Sequence, residues 1–169
     1  TLVASQTVRS PKDFFKPHAD CAPQPLREIP IRPSRVINFF PPKNEAGQEL
    51  LTKTIIELEP LGPDWVSVTY GANGSSRQRT LDATMAILQT TDFRVMGHLT
   101  CTGQSIDELK AVIDAYGDSG VHNILAIRGD MPGGPSVPWE PHPGGLANAT
   151  ELVELVRSRG DFCVGVAAF

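Results

Sequence analysis

Short apolar runs alternate with amphipathic segments along the chain from residue 36 onwards. The apolar runs, rich in β-branched and aromatic residues, predict strands at 36–40, 65–70, 93–101, 121–128 and 162–168. The intervening segments carry apolar residues three and four positions apart, which predicts helices. The strands start at nearly equal intervals, with one longer interval after the fourth. This is a βα repeat, which produces parallel strands joined by right-handed crossovers.

The predicted helices are marked at their ends by residues with known capping roles. Ser105 and Glu108, three residues apart before an apolar face, form a capping box. Thr80 is the predicted N-cap of the second helix. Pro60 is expected to close the first helix, and Gly160 the fourth.

Two architectures accommodate repeated βα units, a doubly wound open sheet and a (β/α)8 barrel of the TIM type. No GxGxxG motif follows the first strand, so the dinucleotide-binding form of the open sheet lacks its fingerprint. Each of the first four strands ends in polar or special residues, and a barrel gathers such ends around one mouth. The barrel is therefore favoured. It is expected to be incomplete, since a full barrel takes about 250 residues.

Composition narrows the function classes. The chain has 169 residues, 20% of them charged, and a net charge of −4 without a basic run, which gives no support for nucleic-acid binding. No apolar stretch approaches the length of a membrane span, and the start of the sequence lacks the pattern of a secretory signal. Three cysteines without CxxC spacing suit a reducing, cytoplasmic location. Residues 1–34, with six prolines, are predicted to be a surface arm preceding the barrel portion at 35–169.

The strand ends supply the residues that could carry chemistry. On a parallel scaffold they meet at the carboxyl edge, and each also has a structural explanation, such as a satisfied core amide or histidine or a solvated turn. No histidine has ligand spacing with cysteine or carboxylate, so no metal site is predicted, and no nucleophile motif is present. Difficult chemistry at such a site would need a cofactor. The strand-end residues are Asn38, Thr69, Tyr70, His98, Arg128, Gly129 and Asp130.

Four sequence blocks resemble the 5,10-methylenetetrahydrofolate reductase family, in the family's order and at similar spacing. The resemblance implies an eight-stranded β/α barrel that holds FAD at its carboxyl face. It also implies that NAD(P)H reduces the flavin, which passes hydride to methylenetetrahydrofolate, the folate substrate. The blocks are Phe39-Phe40-Pro41-Pro42-Lys43, Val66-Ser67-Val68-Thr69-Tyr70-Gly71-Ala72, His98-Leu99-Thr100-Cys101 and Leu125-Ala126-Ile127-Arg128-Gly129-Asp130.

By this resemblance one group of residues binds the flavin. Asp130 matches the family's acidic residue beside flavin and folate, where it would bind the pterin and take part in catalysis. Its charge near the flavin ring would tune the reduction potential. The flavin-lining positions are Thr69, Tyr70, Ala72, His98, Arg128, Gly129 and Asp130.

Two departures from the family pattern affect the expected activity. The family has a glutamate before the Phe-Phe-Pro-Pro block, acting as a general acid, and this catalytic position is Asn38 here. An amide cannot deliver a proton, and general-acid catalysis contributes about 10²- to 10⁴-fold. Barrel units six to eight are expected to lie outside this sequence, and the tyrosine-like flavin contact that the resemblance implies around Asn148 is expected to be missing. A homo-oligomer or completion by a further chain segment is expected, because an open half-barrel leaves unpaired edges.

Two alternatives stay open beside the reductase. One is a catalytically degenerate paralogue that acts as a binding or regulatory subunit, which Asn38 favours. The other is a pterin-binding barrel without flavin, such as a methyltransferase. The Arg-Gly-Asp and Val-Thr-Tyr-Gly-Ala blocks argue against that second alternative.

Overall fold

A computed structural model of the chain describes residues 35–70 and 77–167. The predicted arm at 1–34 and the predicted flavin contact Ala72 lie outside these residues. Five strands alternate with four helices in the described part, and a short 3-10 turn at Glu59–Leu61 follows the first helix. In chain order they are β1 (Val36–Phe39), α1 (Glu45–Leu58), β2 (Trp65–Val68), α2 (Arg77–Thr90), β3 (Val95–Thr100), α3 (Ile106–Asp118), β4 (Asn123–Ile127), α4 (Ala149–Arg159) and β5 (Cys163–Val166).

The five strands form one parallel sheet in the order β1-β2-β3-β4-β5. A doubly wound sheet reverses its strand order at a switch point, whereas a barrel keeps the sequential order. The sequential order therefore confirms an incomplete barrel of the TIM type. Within the described residues the sheet is not closed, because β1 and β5 each have one neighbouring strand.

The helices pack against one face of this sheet, as the alternation of side chains requires. Leu51 and Ile55 of α1 pack with Phe39, Val66 and Val68 in one apolar cluster. A second, larger cluster joins β3 and β4 to α3 and α4. The opposite face, called the inner face below, carries the alternate positions of each strand. Its positions towards the carboxyl ends are Asn38, Ser67, His98, Thr100 and Leu125.

A glycine in β3 allows α3 to approach the sheet closely. A Cβ placed on Gly97 would lie 2.7 Å from Cζ of Tyr116, whose ring is fully buried. The Tyr116 hydroxyl donates a hydrogen bond to the carbonyl oxygen of His98 at 3.2 Å. Burial raises the pKa of Tyr116, so this hydroxyl stays protonated and remains a donor. The contact holds α3 against the strand that carries His98.

The predicted capping box at α3 is confirmed. The Ser105 hydroxyl accepts from the backbone N–H of Glu108, and the Glu108 carboxylate accepts from the backbone N–H of Ser105 at 2.9 Å. The caps Asn44 of α1 and Asn148 of α4 were not predicted, although each accepts a hydrogen bond from a backbone N–H three residues on. Side-chain caps of this kind stabilise a helix by about 1 kcal/mol.

The prediction that Thr80 caps the second helix was wrong. Helix α2 is already formed at Arg77, so Thr80 lies inside its first turn and is fully buried. Its hydroxyl donates to the carbonyl oxygen of Thr69 at 3.0 Å, which ties the helix to the end of β2. The first strand is also shorter than predicted, because it ends at Phe39 and Phe40 is 73% exposed.

No helix in the described ranges is long and apolar enough to cross a membrane.

We expect Gly97→Ala to lower the free energy of unfolding by about 1–3 kcal/mol, the usual cost of overpacking. The added methyl would meet the Tyr116 ring, which the core prevents from moving aside. Gly165→Ala in β5 is the matched control, since its methyl would meet only Leu125 Cδ1 at 3.5 Å, an ordinary contact. Urea unfolding of both variants measures the difference. Equal stability of the two variants would contradict the proposed close packing.

Candidate functional site

Three predicted site residues lie at the carboxyl ends of β1, β2 and β3. Asn38 is partly buried on the inner face, and its Oδ1 accepts a hydrogen bond from the Ser67 hydroxyl at 2.9 Å. The backbone N–H of Thr69 continues the ladder by donating to the Phe39 carbonyl at 2.9 Å. His98 lies one strand further along. The parallel ladder therefore brings Asn38, Thr69 and His98 to one edge of the sheet, as predicted.

His98 is an uncharged side chain at neutral pH. Burial lowers its pKa from 6.5 to about 4, because the site does not solvate an imidazolium. In the neutral ring one nitrogen donates and the other accepts a hydrogen bond. The residue can thus bind a polar group without adding a charge to the site.

The side chain of Tyr70 points away from this edge. It belongs to the apolar cluster beneath the helices, and its hydroxyl donates to Oε1 of Gln104 at 3.2 Å. The fully buried Gln104 in turn donates from Nε2 to the Thr100 carbonyl at 2.9 Å. Burial raises the pKa of Tyr70. A ligand at the carboxyl edge would therefore meet the backbone at Tyr70, while the side chain braces β2 against the end of β3.

Arg77 and Glu108 join the start of α2 to the start of α3. Arg77 Nη1 lies 3.2 Å from Glu108 Oε1. Hydrogen bonds from Ser105 and from Arg77 lower the pKa of Glu108 to about 2, so the carboxylate stays charged. The sequence did not predict that Arg77, Glu108 and Gln104 would hold the strands and helices around the site in place. The capping-box glutamate was the only sequence signal that pointed to them.

The segment Arg128-Gly129-Asp130 follows β4 directly and is held by the end of β3. The Arg128 carbonyl accepts two hydrogen bonds, from the backbone N–H of Cys101 and from the Thr102 hydroxyl, each at 3.1 Å. Gly129 has φ +82°, and a Cβ there would overlap the Thr102 hydroxyl oxygen. Only glycine satisfies both conditions. The predicted segment is therefore placed at the same edge as His98.

The charged side chains of this segment differ in their surroundings. The Arg128 guanidinium is exposed and lies over the Trp139 ring, 4.9 Å from its centroid. It forms no ion pair with any carboxylate in the described part of the chain. Asp130, two residues further along the chain, is partly buried. The segment thus carries one exposed cation and one partly buried carboxylate.

The long loop after Asp130 folds back on α3. The Gly144 carbonyl accepts from the backbone N–H of Ile106 at 2.9 Å, and Leu146 is buried. Asn148, where a tyrosine-like contact was expected, caps α4, and its carbonyl accepts from the Cys101 thiol at 3.3 Å. Burial raises the pKa of that thiol to about 11, so Cys101 is a structural residue.

The inner face retains unused hydrogen-bonding capacity. The Thr100 hydroxyl is buried and has no hydrogen-bond partner among the described residues, and the same holds for Oδ1 of Asn123. Native structures contain few such groups, and a bound ligand is one explanation for them. No cluster of three His, Cys, Asp or Glu side chains suited to a metal ion occurs among the described residues.

We expect Gly129→Ala to destabilise the protein more than Gly134→Ala. Both glycines have positive φ, so both substitutions incur backbone strain of about 1 kcal/mol. Only at position 129 does the methyl also collide with Thr100 and Thr102, since nothing lies within 4 Å of a Cβ at position 134. The difference in unfolding free energy between the two variants, measured in urea, gives the cost of the collision alone. A Gly134→Ala variant as unstable as Gly129→Ala would refute the collision.

Stability is expected to fall as pH drops from 6.5 towards 4, partly because of His98. Its pKa is lower in the folded state, so the unfolded chain binds a proton first in this window. The linked loss is up to about 3 kcal/mol. His98→Gln, which cannot take up the proton, should flatten the pH dependence of the unfolding free energy. An unchanged slope in this variant would show that His98 is not the titrating group.

Comparisons with known proteins agree on one family. The family model for methylenetetrahydrofolate reductase matches residues 32–169. A protein of Escherichia coli K12 named 5,10-methylenetetrahydrofolate reductase is 35% identical over 156 residues, which cover 92% of this chain and 50% of that protein. Its namesake in Pectobacterium carotovorum is 36% identical over 148 residues, or 86% of this chain and 47% of the relative.

A plant relative has a more specific name. Methylenetetrahydrofolate reductase (NADH) 1 of Arabidopsis thaliana is 36% identical over 125 residues, which cover 73% of this chain and 21% of the plant protein. The chain thus spans about half the length of the bacterial relatives that it matches. The family match across β1 to β5, together with the sequential parallel sheet, establishes that this chain belongs to the methylenetetrahydrofolate reductase family.

Proposed function

We propose that this chain forms part of a flavoprotein that reduces 5,10-methylenetetrahydrofolate to 5-methyltetrahydrofolate with NAD(P)H. The observation that carries the proposal is the family match over residues 32–169, which includes every strand end discussed above. Asn38, His98 and Arg128-Gly129-Asp130 lie at one edge of the sheet, where β/α barrels hold their active sites. Under this proposal the strand-end residues together form one active site.

The inner face suits FAD as the cofactor. When bound, FAD would accept a hydride from NAD(P)H and pass it to the folate. The exposed Arg128 guanidinium, which pairs with no carboxylate of the described residues, suits phosphate oxygens. Neutral His98 and the backbone at Thr69 and Tyr70 offer hydrogen bonds to uncharged polar groups. Gly129 has no side chain, so the cofactor could approach its backbone closely. Ala72, which lies outside the described residues, is the remaining proposed flavin contact.

Asp130 is proposed to bind the folate. A carboxylate accepts hydrogen bonds from the amino-pyrimidine edge of a pterin, where two N–H donors lie side by side. Gly129 and the two hydrogen bonds to the Arg128 carbonyl restrict the backbone next to Asp130. The carboxylate is therefore presented from a fixed position, which favours one orientation of the substrate.

Asn38 limits the proposed reaction. Opening the methylene bridge requires a proton on a folate nitrogen, and a side-chain amide cannot supply one. Its Oδ1 is already occupied by the Ser67 hydroxyl, which leaves the amide N–H groups to meet a substrate. Asn38 can thus orient the folate, and we expect the proton to come slowly from water.

Partners and location follow from the same proposal. The open edges at β1 and β5 favour either a further chain segment or a homo-oligomer to cover them. The small-molecule partners are the folate and NAD(P)H, and a cytoplasmic location would suit both. A second candidate function, a catalytically degenerate subunit, is favoured by Asn38 alone.

We expect Asn38→Glu to raise the rate of folate reduction by about 10²-fold, towards the lower end of the range for a restored general acid. Reduction of the bound flavin by NAD(P)H should change less than twofold, because that half-reaction needs no proton at position 38. Stopped-flow absorbance of the flavin follows the two half-reactions separately. The whole protein, with any sequence that adjoins this chain, is used.

Asn38→Gln is the matched control, since it has the length of glutamate without the proton. Asn38→Gln should not raise the rate of either half-reaction above that of wild type. A similar gain in both variants would mean that side-chain length and not acidity matters at this position. A protein that binds no flavin would overturn the proposed function itself.

A further inference from the structure

We propose that Trp139 is a positioning residue, which holds the Arg128 guanidinium at the carboxyl end of β4 as the cation of a phosphate-binding subsite. The inference rests on the proposed function, because that function supplies a phosphate-bearing ligand. It adds a residue of the long loop after β4, which belongs to none of the strand ends already discussed. It also assigns that loop a part in ligand binding.

The contact between the two side chains is a cation–π pair. The Arg128 guanidinium carbon lies 4.9 Å from the centroid of the Trp139 ring, within the range in which the ring attracts a cation. Arg128 Nε also donates to its neighbour's carbonyl, on Gly129, at 3.3 Å. An exposed arginine otherwise samples many rotamers, and these two contacts restrict it.

Trp139 is itself held in place by the core. Its ring is partly buried and packs against the larger apolar cluster, which contains Leu109, Leu152 and Phe162. The loop that carries it is fixed at its far end by the hydrogen bond between the Ile106 N–H and the Gly144 carbonyl. The indole is therefore a rigid platform, and Arg128 is the mobile partner that it restrains.

Because Nε of Arg128 donates to the Gly129 carbonyl, the terminal N–H groups of the guanidinium are the ones that a ligand could bind. Phosphate oxygens bind such groups in the plane of the guanidinium. No carboxylate in the described ranges pairs with these N–H groups. A restrained guanidinium at the carboxyl end of a β/α sheet is suited to bind an anion when no carboxylate of the described residues neutralises it. The pyrophosphate group of a dinucleotide is the anion that the proposed function supplies.

A double-mutant cycle on the whole protein tests the assignment with two probes, FAD and inorganic pyrophosphate. The variants are Trp139→Leu, Arg128→Leu and the double variant, with Trp139→Phe as the conservative control. We expect Trp139→Leu to weaken binding of both probes by about fivefold, the size of an exposed cation–π contact. Trp139→Phe should bind within about twofold of wild type, since it keeps an aromatic face. In the Arg128→Leu background, Trp139→Leu should have no further effect.

Each other outcome is decisive. An equal loss in the Arg128→Leu background would show that Trp139 acts independently, and an equal loss in Trp139→Phe would show that the aromatic face is irrelevant. Either result overturns the inference. So does an Arg128→Leu variant that binds both probes as tightly as wild type. If wild type binds pyrophosphate with the expected pattern but no FAD, the proposed function fails and the positioning role stands. Should Trp139→Leu unfold, Trp139→Met replaces it, since the longer, flexible methionine side chain adapts to irregular space and has no π face.

Discussion

The carbonyl oxygen of Arg128 accepts two hydrogen bonds from the end of β3, and the placement of the site depends on this junction. The donors are the backbone N–H of Cys101 and the hydroxyl of Thr102. They extend the β3–β4 ladder past the last regular pair, so the two strands remain together where the polar residues begin. The chain must then turn with a positive φ at a position that has no room for a Cβ. Arg128 and Asp130 are consequently presented on either side of a glycine whose position is fixed.

A buried polar network supports that junction from the helix side. The Tyr70 hydroxyl bonds to Gln104, and Gln104 bonds to the carbonyl of Thr100, the last residue of β3. Arg77 and Glu108 link the starts of the two flanking helices in the same region. Because a buried amide without partners would cost about 1–3 kcal/mol, the arrangement restricts β2, β3 and α3 to one relative position. The Tyr70 side chain thus has a structural role in this chain.

The electrostatic character of the site follows from which groups are charged. Burial keeps His98 neutral near pH 7, and Asn38 is an uncharged amide. Arg128 and Asp130 remain as its charged side chains among the strand-end residues. Under the proposed function, Arg128 would bind the phosphates of the cofactor and Asp130 would bind the pterin. Asn38 would orient that substrate, because a side-chain amide cannot donate the proton that the reaction requires.

The sequence by itself determined the βα repeat, the parallel strands, the capping box at Ser105 and the set of strand-end residues. These features depend on local periodicity and on short-range hydrogen bonds, which neighbouring residues specify. Only the tertiary structure decided that Thr80 lies inside a helix, that the Tyr70 side chain turns towards Gln104 and that the Arg128 guanidinium lies over Trp139. Each of these depends on a partner brought close by folding, from a strand, a helix or a long loop. Spacing along the chain does not encode such contacts, because they arise when the sheet register and the helix packing are complete.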